Sequence, residues 1–124
     1  DYKAWLKDNA LVIVMIEHIK AVEAIDEILA EPGVDGYIIG PYDLSSSLGI
    51  PGEFDNPKVV EAIERIRKAG KKAKKAGGIH VVEPDLKLIK RYIDDGFTFI
   101  GYGMDVRFLD SICRDHLPKI RKFA

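Results

Sequence analysis

Apolar residues along this chain alternate between two patterns. Residues 11–16 (Leu11, Val12, Ile13, Val14, Met15, Ile16) form an unbroken run rich in β-branched side chains. Such a run fits a strand buried on both faces, as in a parallel sheet with helices outside. Over 20–31, Val22, Ile25, Ile28 and Leu29 fall at helical spacing, with Glu23, Asp26 and Glu27 between them. Pro32-Gly33 stops that helix, and Gly36, Tyr37, Ile38, Ile39 and Gly40 read as a second strand. Residues 44–55, with Ser45, Ser46, Ser47, Gly49, Pro51 and Gly52, read as a mobile loop.

The alternation then repeats. Asn56-Pro57 supplies an N-cap and a proline at the first helical position. Val59, Val60, Ile63 and Ile66 line one face of a helix reaching about residue 76, which Gly77-Gly78 ends. Residues 79–82 form a third strand. Asp85 caps a helix whose Leu86, Ile89, Tyr92 and Ile93 face inward, and Gly96 closes it before a fourth strand at 97–100. A last helix starts near Val106 and carries Phe108, Leu109, Ile112 and Leu117, with Pro118 a kink or interruption. Residues 1–9, with Trp5 and Leu6, read as the tail of a helix whose beginning is missing.

The order βαβαβαβα implies parallel strands. An open doubly wound sheet and an arc of a barrel both satisfy it. A full (β/α)8 barrel takes eight units in about 250 residues. Four units make half of one.

Composition narrows the functional classes. The 124 residues are one domain by length, 47% hydrophobic, with a formal net charge of −1. That balance argues against a dedicated nucleic-acid binder, and the basic run from Arg65 to Lys75 reads as a solvated helix face. No apolar run approaches the roughly 18 residues of a membrane span. A lone Cys113 and no visible signal peptide point to the cytoplasm. An opening Asp1 in place of Met suggests a truncated, cleaved or engineered product.

Candidate chemistry gathers at strand ends. Glu17 and Asp43 are each the first acid after an apolar strand, and parallel neighbours would set them side by side. Hard oxygen ligands favour magnesium or manganese over zinc. Each acid could equally do no more than solvate a strand end. Gly40, Pro41, Tyr42 and Asp43 make a turn whose backbone amides could face a carboxylate, or a plain tight turn. Gly101-Tyr102-Gly103 could do likewise for phosphate, but no P-loop pattern follows it. His18 reads as a surface or supporting residue, His80 as a satisfied strand histidine and His116 as structural or exposed; no catalytic residue is assigned.

Several stretches together resemble the HpcH/HpaI aldolase family, the metal-dependent class II pyruvate aldolases with their citrate-lyase-type relatives. They are Ile16-Glu17, the segment from Ala24 to Ile28, Pro32-Gly33-Val34-Asp35-Gly36, Ile39-Gly40-Pro41-Tyr42-Asp43-Leu44-Ser45 and Ser47-Leu48-Gly49. The resemblance implies strands five to eight of a TIM barrel, with residues 1–124 as one half-barrel domain. It makes Glu17 and Asp43 the protein ligands of a divalent metal, magnesium or manganese with cobalt as a further candidate. That metal would bind a 2-keto acid such as pyruvate and stabilise its enolate for reaction with an aldehyde. Gly40, Pro41, Tyr42 and Asp43 would hold the substrate carboxylate. Two departures stand out: Met15 where many members have Gln, and His18 where a small polar residue is usual. The family's acid–base His-Asp pair and substrate-binding Arg lie in the other half of the barrel. Residues 106–123 match a helix that packs on a neighbouring subunit.

Two readings of other classes stand beside the aldolase: a non-catalytic, self-associating half-barrel that at most binds metal, and a doubly wound anion- or phosphate-binding module. An isolated four-stranded arc would expose one apolar face and two strand edges. The chain is therefore expected to pair with a complementary barrel half, to form a homo-oligomer or to rearrange. Size-exclusion chromatography with light scattering checks this: an assembly heavier than one chain is expected, and a well-folded monomer contradicts it.

Overall fold

Four strands pair side by side in chain order, β1 (Ile13–Ile16), β2 (Gly36–Ile39), β3 (Ala76–Val81) and β4 (Phe99–Tyr102), every pair parallel. This is a computed structural model describing residues 1–123. Helix α1 (Tyr2–Asn9) precedes the sheet; α2 (Ile19–Glu23) and α3 (Ile25–Ala30) link β1 to β2, and α4 (Pro41–Ser47) and α5 (Pro57–Ala73) link β2 to β3. Helix α6 (Leu86–Asp94) leads into β4, and α7 (Asp105–Ile120) follows it. The strand order never reverses, as a doubly wound sheet would require. The parallel α/β arc expected from the sequence is what forms.

Register assigns the faces. Ile16, Tyr37, Ile39, Ile79 and Val81 pack with Ile25, Leu29 and Ile66 from the helices into one core. Their alternates point the other way, and there Ile13 is 47% and Met15 54% exposed. The first strand is thus covered on one face only, not on both. It also starts at Ile13 rather than Leu11, because Val12 is held by the loop: its amide donates to Asp35 Oδ2 (2.7 Å) and its carbonyl accepts from the Asp35 amide (2.9 Å).

Other boundaries move for identifiable reasons. The helix expected over 20–31 breaks at Ala24 into α2 and α3. Arg65 of α5 donates from Nε to the Val22 carbonyl (2.9 Å) and from Nη2 to that of Glu23 (3.1 Å), engaging oxygens that an unbroken helix would use. The serine-rich segment is α4 rather than a mobile loop. The hydroxyls of Ser45 and Ser46 donate to the Tyr42 carbonyl and that of Ser47 to Leu44, while buried Ser45 also accepts from the Gly52 amide. Asn56 and Asp85 cap α5 and α6 as expected. Phe97 belongs to the α6–β4 connection, stacked edge-on against Tyr92, so β4 starts two residues later than its apolar run suggests. Leu86 and Ile93 are exposed rather than inward-facing; Val60 on α5 and Leu109, Ile112 and Leu117 on α7 are exposed too, and α7 continues through Pro118.

Gly77 and Gly78 lie inside β3 instead of terminating α5, which ends at Ala73 with Lys74 in the left-handed region (φ 56°). The glycines make room for rings. A Cβ on Gly77 would stand 2.5 Å from the Tyr37 hydroxyl, and one on Gly78 would overlap the Phe99 ring. On α5, Gly70 presses against the same Tyr37 ring, so one tyrosine fills the space left by a glycine on each neighbour. Alanine normally favours a helix over glycine by about 1 kcal/mol. At Gly70 the added methyl would overlap the ring, and overpacking costs roughly 1–3 kcal/mol. Gly70→Ala is therefore expected to lower the urea midpoint in the parent and to raise it in a Tyr37→Leu background. Equal effects in both backgrounds would contradict this packing.

Candidate functional site

The carboxyl ends of the strands form one edge of the sheet, and the two predicted acids lie there. Glu17 is the first residue after β1. Gly40 follows β2, and its amide donates to the Ile16 carbonyl (3.1 Å), carrying the ladder one step beyond the strands. A Cβ built on Gly40 would lie 3.2 Å from both Cβ and Oε2 of Glu17 and 3.8 Å from Met15 Sδ. Glycine at 40 thus leaves the space that the Glu17 carboxylate occupies, with Met15 rather than a polar group beside it.

Gly40, Pro41, Tyr42 and Asp43 form the N-cap and first turn of α4 rather than a free-standing tight turn. Pro41 sits at the first helical position with φ suited to it, and no side chain caps the turn. The amides of Tyr42 and Asp43 are first-turn donors, with no intrahelical acceptor to reach. Asp43 adds its negative charge at the favourable end of the helix. Among the described residues neither the Glu17 nor the Asp43 carboxylate makes a hydrogen bond or ion pair, whereas Glu83 near the same edge is fully engaged.

A cleft of about 460 Å³ opens over this edge, with Gly40 to Asp43 on one side and His80, Glu83, Met104 and Arg107 on the other. Three of these were missed by sequence reasoning. Arg107, in the first turn of α7, grips Glu83 through two bonds (Nε to Oε1, 3.1 Å; Nη2 to Oε2, 2.7 Å) and donates from Nη1 to Asp110 (2.8 Å). The Glu83 contact holds the guanidinium above its ordinary pKa. Asp110 is held below its own, first by hydrogen bonding from Arg114. Tyr42 donates its hydroxyl to Glu83 Oε1 (3.4 Å). Glu83 obeys the rule that picked out Glu17 and Asp43, being the first acid after an apolar strand, and could have been found by it. Arg107 leaves no comparable mark, since its partner lies 24 residues away. His80 lies in β3 as expected, but on the uncovered face and within the cleft.

Residues 5–111 match the family model described as HpcH/HpaI aldolase/citrate lyase. The chain belongs to that family. A hydroxypyruvate/pyruvate aldolase from Roseovarius nubinhibens is 40% identical over 98% of this chain and 46% of its own length. A 5-keto-4-deoxy-D-glucarate aldolase from Escherichia coli is 37% identical over 90% of this chain and 43% of its own. A solved HpcH/HpaI aldolase/citrate lyase family protein from Burkholderia cenocepacia superposes with a TM-score of 0.89 at 35% identity, over 98% of this chain and 46% of that one. The HpcH/HpaI aldolase from Desulfitobacterium hafniense gives 0.87 at 32% identity, over 98% and 48%. The chain therefore spans about half the length of the relatives it matches. Those neighbours are TIM-barrel-like, and four parallel βα units account for about half of such a barrel.

The hub at Glu83 has a spectroscopic consequence. The Tyr42 phenol is raised above its ordinary pKa, first by burial and then by the charge and hydrogen bond of Glu83. Removing that charge removes a contribution that favours the protonated phenol. Ultraviolet difference titration against Tyr42→Phe should show Tyr42 ionising at lower pH in Glu83→Gln than in the parent; an unchanged or higher value would contradict the pairing.

Proposed function

We propose that this chain supplies the metal-binding corner of a divalent-metal-dependent aldolase or lyase acting on 2-keto acids. Pyruvate is the expected donor and an aldehyde its partner. The observation that carries the reading is the pair of unpaired carboxylates at the ends of adjacent parallel strands, Glu17 resting on the open backbone of Gly40 and Asp43 three residues further on. Membership of an aldolase family gives that pair a chemistry.

The residues fit a hard divalent cation. Among the described residues no group of three or more His, Cys, Asp or Glu gathers into a closed site. Two carboxylates with further positions open to substrate and water suit magnesium or manganese, with cobalt a further candidate. A cation bound by Glu17 and Asp43 would supply Lewis-acid stabilisation of the negative charge that develops on a keto acid. The chain's own contribution is positioning. The first-turn amides of Tyr42 and Asp43 bind the substrate carboxylate, helped by the positive end of α4. Gly40 keeps a side chain out of the space between the acids and the substrate. Met15 lines one side without offering a hydrogen bond.

In this reading no acid–base residue is assigned to the chain, and the complementary half of the barrel supplies proton transfer. Residues 1–124 act as one half-barrel domain whose uncovered face is closed by that half or by a second copy. The setting is cytoplasmic, with no role for nucleic acid or membrane; among the described residues no helix is long and apolar enough to cross one. A non-catalytic self-associating fragment is the competing reading, favoured by the same uncovered face.

Manganese titration followed by electron paramagnetic resonance separates them without relying on turnover. One site per chain is expected, weakened at least tenfold by Glu17→Ala or Asp43→Ala. Gly40→Ala should also weaken it, because the backbone at φ −101° accepts alanine while the methyl crowds the Glu17 carboxylate. Assembly with the complementary half should restore manganese-dependent exchange of the pyruvate methyl protons. Metal binding indifferent to both acids would sink the proposal, as would assembly without exchange.

A further inference from the structure

The ladder places one more side chain in the same row as Glu17. Ile16 pairs with Ile39, Ile39 with Ile79, and His80 with Gly101. One step along, Glu17, Gly40, His80 and Gly101 lie side by side across the four strands, all on the uncovered face. Neighbouring strands are about 4.8 Å apart, so the backbones of Glu17 and His80 stand about 10 Å apart. Only the bare backbone of Gly40 lies between them. The Glu17 carboxylate and Met15 Sδ border Gly40 on the β1 side, and among the described residues no side chain is given against Gly40 from the His80 side.

The orientation of the imidazole follows from its contacts. Its Cδ2 faces β4, where a Cβ on Gly101 would lie 3.1 Å away. Its Nε2 is 3.3 Å from the Gly103 carbonyl. A carbonyl only accepts, so Nε2 must carry a proton to make this contact, and in the neutral ring Nδ1 is then the acceptor. The Cδ2–Nε2 edge faces β4, and the Nδ1 edge therefore faces the Gly40 side. A second recess of about 200 Å³ shares Pro41, Tyr42, His80 and Glu83 with the main cleft and continues over Leu88 and Phe54. Arg107, which lines the main cleft rather than this recess, already has Nε, Nη1 and Nη2 bonded to Glu83 and Asp110. The side chains lining this second recess are mostly apolar, with the acids Glu83 and Asp85 and no cation among them, so it offers little to an anion.

We propose that His80 is a specificity-determining residue whose Nδ1 accepts a hydrogen bond from a hydroxyl of the aldehyde partner, selecting neutral hydroxylated aldehydes over alkyl ones. This rests on the aldolase reading above. The donor keto acid lies between Glu17, Asp43 and the α4 amides, and the aldehyde approaches from the His80 side of Gly40. Val82 lines both recesses as well, so His80 is the polar group on an otherwise apolar stretch of this wall. A histidine there is tolerated because Gly101 makes room for its ring.

The test uses the assembled enzyme, this chain with its complementary barrel half, manganese and pyruvate. Glycolaldehyde and propanal have equal numbers of non-hydrogen atoms and differ in one hydroxyl, so the ratio of their kcat/KM values reads the hydrogen bond directly. Because both are measured on one preparation, the ratio does not depend on how much of a variant folds. The parent should favour glycolaldehyde; His80→Leu should reduce the ratio about tenfold, the scale of one neutral hydrogen bond. His80→Asn, whose Oδ1 stands where Nδ1 did, should restore much of it. A ratio unmoved by His80→Leu overturns the assignment while leaving the aldolase reading intact. No addition to either aldehyde by the parent overturns the aldolase reading, and this one with it. Long-range proton–nitrogen correlation spectra of the histidine rings provide a check independent of turnover. The Nε2–H tautomer is expected for His80, and the Nδ1–H tautomer overturns the proposal by itself.

Discussion

Parallel pairing of β1 with β2 is the constraint on which the site depends. It fixes Ile16 against Ile39 and so sets Glu17 against Gly40. Had the strands slipped by one residue, every side chain would have changed face, burying Glu17 among Val22 and Ile25 and exposing Ile16. The core prevents that slip, because Ile16, Ile39 and Ile79 are fully buried in one layer with the helices. Hydrophobic packing on one face thus positions the polar residues at the edge. Tyr37 reinforces the register, since its ring fits only where Gly70 and Gly77 leave space on two neighbouring elements.

The other face of the sheet is built differently. Ile13, Met15, Ile38 and Phe99 form an apolar surface with no helix over it among the described residues, broken by Gly78 and Gly101 and ending in Glu17 and His80. In a chain about half the length of its relatives, this is the surface that a complementary half would close. Helix α7 is similarly open: Leu109, Ile112, Leu117 and Ile120 are exposed. Its attachment rests on the Arg107–Glu83 bridge and on Phe108, which stacks edge-on with Tyr102 and lies over Gly103. The residues that tie α7 down therefore also shape the rim of the cleft.

Much of this was legible in the sequence because it is local. The βα alternation is written in hydrophobic spacing, and the two acids are marked as the first charges after apolar runs. Asn56-Pro57 and Asp85 announce their helices for reasons internal to one turn. Most of what could not be read depends on contacts between distant segments. The break at Ala24 requires Arg65 to reach back across some forty residues. Gly77-Gly78 looks like a helix stop until the rings of Tyr37 and Phe99 are seen to need the space. The serines of α4 resemble a loop because their hydroxyls compete for backbone carbonyls, yet in place they brace a helix. His80 is unremarkable within its own strand; only the register shows that a glycine separates it from Glu17.

The proposed pairing of Glu17 and Asp43 on one divalent cation can be seen by anomalous diffraction from crystals grown with manganese and pyruvate. A single strong manganese peak should bridge the two carboxylates above Gly40, with the keto acid's carboxylate toward the first turn of α4. A manganese peak on Glu83 and Asp110 instead, or none at the Glu17–Asp43 pair, would contradict it.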